Sequence, residues 1–175
     1  MKIIDGGITA SLGFSAAGVY CGIKKRKKDL ALVVSDRPCT FAGSFTTNVV
    51  KAAPVVWDQQ IVASSPTVRS ILVNSGNANA CTAAQGDEDC KTMACLAAEA
   101  LGITAEEVLV CSTGVIGVPM PMEPIREGVA LASGVLAATR EGASDAATAI
   151  CTTDTFTKEV AVSLEIDGLP IHIGG

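Results

Sequence analysis

The sequence predicts a mixed α/β (α+β) fold, with mixed β-sheets and helices packed on them, and three observations carry that expectation. First, 49% of the 175 residues are apolar but only 3% are aromatic. The core must therefore be filled by small aliphatic side chains, as in compact α/β proteins. Second, short strand-like runs alternate along the chain with segments of helical spacing. Third, no apolar run approaches the roughly 18 residues needed to span a bilayer. A chain of this length is expected to form one domain over residues 1–175.

The N-terminus, MKIIDGGITAS, lacks the apolar stretch of a signal peptide. Gly18 to Ile23 and Leu30 to Ser35 flank the run Lys24-Lys25-Arg26-Lys27-Lys28-Asp29, which predicts a hairpin with a charged tip. No aromatics interleave with these cations and the net charge is −5, so the run reads as a solvated turn and nucleic acid is not an expected partner. Strands are expected at Ser44 to Val50 and at Ser70 to Asn74. Asn74 to Gly86, NSGNANACTAAQG, reads as a loop of polar and small residues.

A helix should follow, with Asp87, Glu88 and Asp89 complementing the dipole in its first turn. Met93, Leu96, Ala97, Ala100 and Leu101 recur at helical spacing before Gly102 ends it. Thr104 and Glu107 have the spacing of a capping box. VLVCSTGVIGVPMP, Val108 to Pro121, then begins as a buried strand and breaks into hydroxyls and glycines. Glu123 to Leu136 predicts a helix with Pro124 in its first turn, and Ser144 is expected to cap another that ends near Ile150. Val160, Val162, Leu164 and Ile166 alternate as in a half-buried strand. Asp167-Gly168 is a hairpin turn signal, and a barely formed return strand runs from Pro170 to Ile173.

Catalytic groups are scarce. His172 is the only histidine and sits between two isoleucines, as an exposed strand residue would. The seven cysteines are odd in number and contain no CxxC. They read as reduced thiols of a cytoplasmic protein, mostly buried, with Cys111 a buried filler. No P-loop, strand-linked GxGxxG or metal-ligand cluster is present. What remains is neutral: the Asn74 to Asn79 loop, the Ser112 to Gly117 loop and Thr152-Thr153-Asp154-Thr155. Glycine-rich turns beside hydroxyls have the composition of an oxyanion hole, and equally of an ordinary tight turn.

Five stretches carry a resemblance: GGITASLGFSAAGVYCGIKK (Gly6 to Lys25), FTTNVVKAAPV (Phe45 to Val55), VNSGNANACTAAQG (Val73 to Gly86), STGVIGVPMPM (Ser112 to Met122) and TTDTFTKE (Thr152 to Glu159). In this order they resemble the ornithine acetyltransferase family, also called glutamate N-acetyltransferase or ArgJ. The resemblance implies an ArgJ/DmpA-like layered fold and a precursor that cuts itself into an α and a β chain. The new first threonine of the β chain would be the nucleophile and its freed amine the base, which accounts for the missing histidine. Residues 1–175 would be most of the α chain, with the β chain outside this sequence.

By the same resemblance, Thr113 supplies its hydroxyl and Gly114 its backbone N–H to an oxyanion hole, and Thr152, or alternatively Thr153, contacts substrate. The implied reaction moves acetyl from N2-acetyl-L-ornithine to L-glutamate through an acetyl-threonine, in arginine biosynthesis, with no metal or organic cofactor. Some members also accept acetyl-CoA. The implied assembly is an α2β2 heterotetramer in the cytoplasm, without nucleic-acid or membrane partners. Ser15, Ala83-Ala84 and Thr157 depart from the family pattern. Two other readings stay open: an amidohydrolase or aminopeptidase of the same fold, and a non-catalytic α chain whose Ser112 to Gly117 loop binds an anion.

Overall fold

A computed structural model describes all 175 residues. The elements run β1 (Lys2–Ile4), β2 (Phe14–Val19), β3 (Leu30–Cys39), α1 (Ala53–Ser64), β4 (Val68–Asn77), α2 (Ala83–Leu101), β5 (Val108–Val115), α3 (Met122–Gly134), α4 (Arg140–Ile150), β6 (Ala161–Ile166) and β7 (Leu169–Gly174). A four-stranded sheet has the order β2-β3-β4-β5, and β1-β6-β7 form a smaller one. Within the larger sheet β2, β3 and β4 are antiparallel neighbours, whereas β4 and β5 are parallel. The parallel pair needs a long crossover, and α2 supplies it.

The two faces of the larger sheet are filled differently. On one, Leu30, Leu32, Leu72, Val108 and Val110 join Met93, Ala97, Ile125 and Val129 of α2 and α3 in the main core. The other core is built of alanines, Ala16 and Ala31 against Ala146 and Ala149 of α4. Small side chains bring α4 very close. A Cβ on Gly18 would stand 1.9 Å from the Asp145 carbonyl oxygen, so only glycine fits beneath the helix. The smaller sheet is held to this body by Arg140, whose guanidinium donates to Glu159 at 2.5 Å and to Asp5 at 3.3 Å, while Ser144 donates to Glu159 at 3.1 Å.

The outer edge of β5 is met by two consecutive residues of α1. The Trp57 indole N–H donates to the Val108 carbonyl at 3.0 Å, and the Asp58 carboxylate accepts from the Val110 N–H at 2.9 Å. Burial pushes the Asp58 carboxyl up to about 6, against the smaller downward pull of that hydrogen bond. A carboxyl raised in the folded state favours folding when protonated. Its contribution is full below the ordinary carboxyl pKa and is lost as pH rises through about 6. Asp58→Asn keeps an acceptor for Val110 and removes the titration. Thermal melts from pH 4 to 7.5 should therefore show wild type losing stability relative to Asp58→Asn as pH rises. Parallel curves would contradict this assignment.

Several expected elements differ. The strand expected at Ser44 to Val50 is irregular coil. Thr46 Oγ1 accepts from the Asn48 N–H and Asn48 Oδ1 from the Val50 N–H, so side chains take the groups a ladder would need. Helix α1 was not expected, because its apolar residues are spread around the helix and leave no periodic signal; Pro54 in its first turn was the available cue. Helix α2 starts at Ala83, so Asp87, Glu88 and Asp89 lie beyond its first turn. Thr139 rather than Ser144 caps α4, accepting from the Gly142 N–H at 3.1 Å, and Ser144 lies inside the helix. The first strand of the charged hairpin is Phe14–Val19, and the return strand β7 pairs with β6 along its whole length.

Other expectations hold. Gly102 closes α2 in the left-handed conformation, Thr104 and Glu107 form the capping box, and Asp167-Gly168 turns the last hairpin. No helix is long and apolar enough to cross a membrane.

Candidate active site

In open sheets with parallel strands, ligands bind beyond the carboxyl ends of those strands. Here that means the adjacent ends of β4 and β5, where Ser75 pairs with Thr113 and Gly76 with Gly114. The register then slips, so that Asn77 faces both Thr113 and Val115, a bulge at the strand end. Gly114 is required there twice over. Its φ of +139° is one that side chains rarely adopt, and an added Cβ would stand 2.3 Å from the Gly76 carbonyl carbon and 2.5 Å from the Asn77 nitrogen. The expected break at Ser112-Thr113-Gly114 is thus a continuing strand with a kinked tip.

Asparagines brace this tip. Asn77 Nδ2 donates to the carbonyls of Val118 and Pro119, each at 3.1 Å, and its Oδ1 accepts from the Asn79 N–H at 2.8 Å. The Ala78 N–H donates to the Val115 carbonyl and the Gly117 N–H to the Ala80 carbonyl, both at 2.8 Å. Asn79 Nδ2 donates to the Gly86 carbonyl at 2.8 Å, tying the loop to α2. Asn74, Asn77 and Asn79 are all buried, so these bonds are made away from water. The Asn74 to Asn79 segment is therefore the scaffold that shapes the Ser112 to Gly117 segment. Composition alone did not show which carbonyls its amides would reach.

Thr113 is half-buried and Gly114 exposed. Ser75, the register partner of Thr113, donates its hydroxyl to the Ala149 carbonyl and anchors the end of α4 to this strand end. Thr152 lies two residues past the end of α4 and is half-buried, while Thr153 is exposed. The Thr152 N–H donates to Asp154 Oδ2 at 3.2 Å. Lys158, and then this N–H, hold the Asp154 carboxyl below its ordinary range.

The basic hairpin tip is not simply solvated. Lys28 pairs with Asp145 of α4, and the Lys24 ammonium donates to the Cys151 carbonyl at 2.8 Å. Fully buried Asp29 gathers the tip by accepting from the N–H groups of Cys21, Gly22 and Lys24 at 2.7, 3.2 and 2.8 Å. Burial lowers the pKa of Lys24 from its ordinary value, against an upward effect of Asp29. Sequence reasoning missed Lys24, since the carbonyl it meets lies 127 residues away.

His172 lies exposed on β7 with Nδ1 3.2 Å from the Ala10 carbonyl, outside this cluster. Among the cysteines only Cys90 is buried, its thiol pushed up to about 12 by burial; Cys81, Cys95 and Cys111 are exposed, so the expectation of mostly buried thiols, with Cys111 a buried filler, does not hold. No three His, Cys, Asp or Glu side chains gather to hold a metal. The strand tip thus carries a hydroxyl and an N–H on adjacent residues, and Ser75 ties the end of α4, just before Thr152, to the neighbouring strand end. Donors arranged this way can stabilise a developing negative oxygen, but they include no group suited to be the base.

A family model described as the ArgJ family matches residues 15–175. The chain is 51% identical to the arginine biosynthesis bifunctional protein ArgJ of Caldanaerobacter subterraneus subsp. tengcongensis, over all of this chain and 43% of that protein. It is 45% identical to the chloroplastic ArgJ of Oryza sativa subsp. indica, over 99% of this chain and 38% of that one. The chain thus spans less than half the length of these curated relatives. Among solved structures it is similar to an ArgJ from Bacillus halodurans, with TM-score 0.96 and 38% identity over 100% of this chain and 91% of that chain. It is also similar to an ornithine acetyltransferase from Mycobacterium tuberculosis complexed with ornithine, with TM-score 0.88 and 40% identity over 99% of this chain and 94% of that chain.

Proposed function

Because the chain belongs to the ArgJ family, we propose that residues 1–175 form a single domain, most of the α chain of a self-cleaving acetyltransferase of arginine biosynthesis. Its β chain, supplied by the same precursor, begins with the nucleophilic threonine. That hydroxyl attacks the acetyl carbonyl of N2-acetyl-L-ornithine while the freed α-amine, with a pKa near 8, takes its proton. The carbonyl oxygen becomes an oxyanion, which accepts from the Thr113 hydroxyl and the Gly114 N–H. Collapse expels ornithine, which leaves with the proton, and an acetyl-threonine remains. The amine of L-glutamate attacks this ester through a second oxyanion in the same donors, its proton passing by way of the α-amine to the leaving threonine oxygen, which releases N-acetylglutamate and the free threonine.

The observation that carries this reading is the kinked tip of β5. It packs the backbone of Thr113 and Gly114 against Gly76 and Asn77, which supports a pair of donors that need little reorganisation when charge develops. Thr152 contacts substrate from the end of α4, half-buried where Thr153 is exposed. The whole enzyme is an α2β2 heterotetramer that takes acetylornithine as its acetyl donor. It needs no cofactor, and this chain is inactive without the β chain.

Intact masses of every polypeptide in the purified, family-length protein test this reading first. Two chains are expected, the second starting with threonine, together with acetyl transfer from acetylornithine to glutamate. A single uncut chain without transfer would overturn it. Hydrolysis of acetylornithine unaffected by glutamate would point to an amidohydrolase instead.

A further inference from the structure

We propose that Lys24 is a positioning residue for the acetyl-transfer site, its ammonium holding the Cys151 carbonyl so that Thr152 stands beside the Thr113–Gly114 tip. This inference rests on the function proposed above and on Thr152 as a substrate contact. Two contacts meet at this lysine. Its stem lies over Gly76: a Cβ there would stand 3.0 Å from Lys24 Cγ and 2.8 Å from Ile23 Cγ2, so the absence of a side chain on Gly76 lets the stem lie flat. Gly76 is in turn the backbone against which Gly114 packs. The ammonium then reaches the carbonyl just past the end of α4, at 2.8 Å. One side chain therefore joins the end of β4, against which the tip of β5 packs, to the segment carrying Thr152.

The neighbouring Lys28 serves as an internal comparison. It grips the same helix through Asp145, with both side chains about one-third exposed, a surface pair of little energetic weight. Lys24 instead meets a main-chain carbonyl at a helix C-terminus, where the dipole favours a cation. It acts on the segment beyond the helix rather than on the helix face. The family stretch ending GIKK includes it, and the acyl-transfer steps make no direct use of it.

The test uses the full, processed enzyme with Lys24→Met, which keeps the stem, Lys24→Arg, Lys28→Met, Thr152→Val and the double variant Lys24→Met/Thr152→Val. Lys24→Met should raise KM for acetylornithine and for glutamate about tenfold, the size of one charge-assisted hydrogen bond, with kcat little changed. Lys24→Arg should restore most of the loss, and Lys28→Met should match wild type. The double variant should be no worse than the poorer single one, since both changes remove one arrangement. Amide hydrogen exchange across Cys151 to Thr155 should quicken in Lys24→Met but not in Lys28→Met.

An unchanged KM in Lys24→Met, an equal effect from Lys28→Met, or additivity with Thr152→Val would overturn the inference. If Thr152→Val leaves KM unchanged, it is the assignment of Thr152 that fails, and the exchange measurement then decides whether Lys24 holds the segment. Should Lys24→Met fail to fold, Lys24→Arg and Lys28→Met still decide: loss of substrate binding in Lys28→Met, or full loss in Lys24→Arg, would overturn it.

Discussion

Thr113→Ala lowers kcat for acetyl transfer by about 10²–10³-fold, the usual cost of one oxyanion donor. Thr113→Ser, which keeps the hydroxyl, retains most of the rate. The donor acts on charge that exists only in the transition states, so kcat and kcat/KM should fall together and KM should move little. Both half-reactions pass through an oxyanion held by the same groups. Formation of the acetyl-threonine and its transfer to glutamate should therefore slow alike, which single-turnover measurements can separate. The fold should survive, because Thr113 is only half-buried at the end of an edge strand and the tip is shaped by Gly76, Asn77 and the surrounding backbone. A change in Tm corresponding to less than about 1 kcal/mol is expected. A serine variant as slow as the alanine variant, or a loss confined to KM, would count against the hydroxyl as the donor.

Gly114→Ala has the larger structural effect and the opposite signature. The new methyl would meet backbone atoms at 2.3 and 2.5 Å, and backbone of a neighbouring strand cannot swing aside as a flexible side chain can. The φ of +139° adds strain that alanine does not relieve. Together these should cost about 3 kcal/mol or more, lowering Tm by roughly 6 °C or more for a domain of this size. Relief can come only by parting the ends of β4 and β5, which also withdraws the Gly114 N–H. Transfer should fall below that of Thr113→Ala, and the two losses should not add, since both remove one oxyanion site. A Gly114→Ala protein with wild-type Tm would show that the tip is more pliable than this packing allows.

The elements legible from sequence were those whose signal is local. Alternation marked the existence of β6 but not its buried face, since Ala161 is buried while Val160 and Ile166 are exposed; Gly102 marked the end of α2, and Thr104 with Glu107 marked their capping box. Thr113 and Gly114 stood out because hydroxyl and glycine interrupt an apolar run. The sequence could not show that they remain in a strand, since the partner that keeps them there is Gly76–Asn77, nearly forty positions earlier. The failures share a cause. Ser44 to Val50 has strand-forming residues, but Thr46 and Asn48 bond their own neighbours and leave no ladder groups. Helix α1 has no apolar stripe, because it buries only Ala53, Pro54 and Ile61. Lys24 looked like one cation in a run of five, and only the fold distinguishes it by bringing Cys151 within reach.

The contact of Trp57 and Asp58 with β5 bears on how the chain avoids its own kind. A strand at the rim of a sheet offers unpaired carbonyls and N–H groups on which a second molecule can extend the sheet. Here two consecutive helical side chains supply the complement a recruited strand would bring: an indole donor for the Val108 carbonyl and a carboxylate acceptor for the Val110 N–H. Ribosomal synthesis makes α1 some fifty residues before this strand, as the positions 57 and 108 require. The residues of the cover are thus synthesised before the rim they serve.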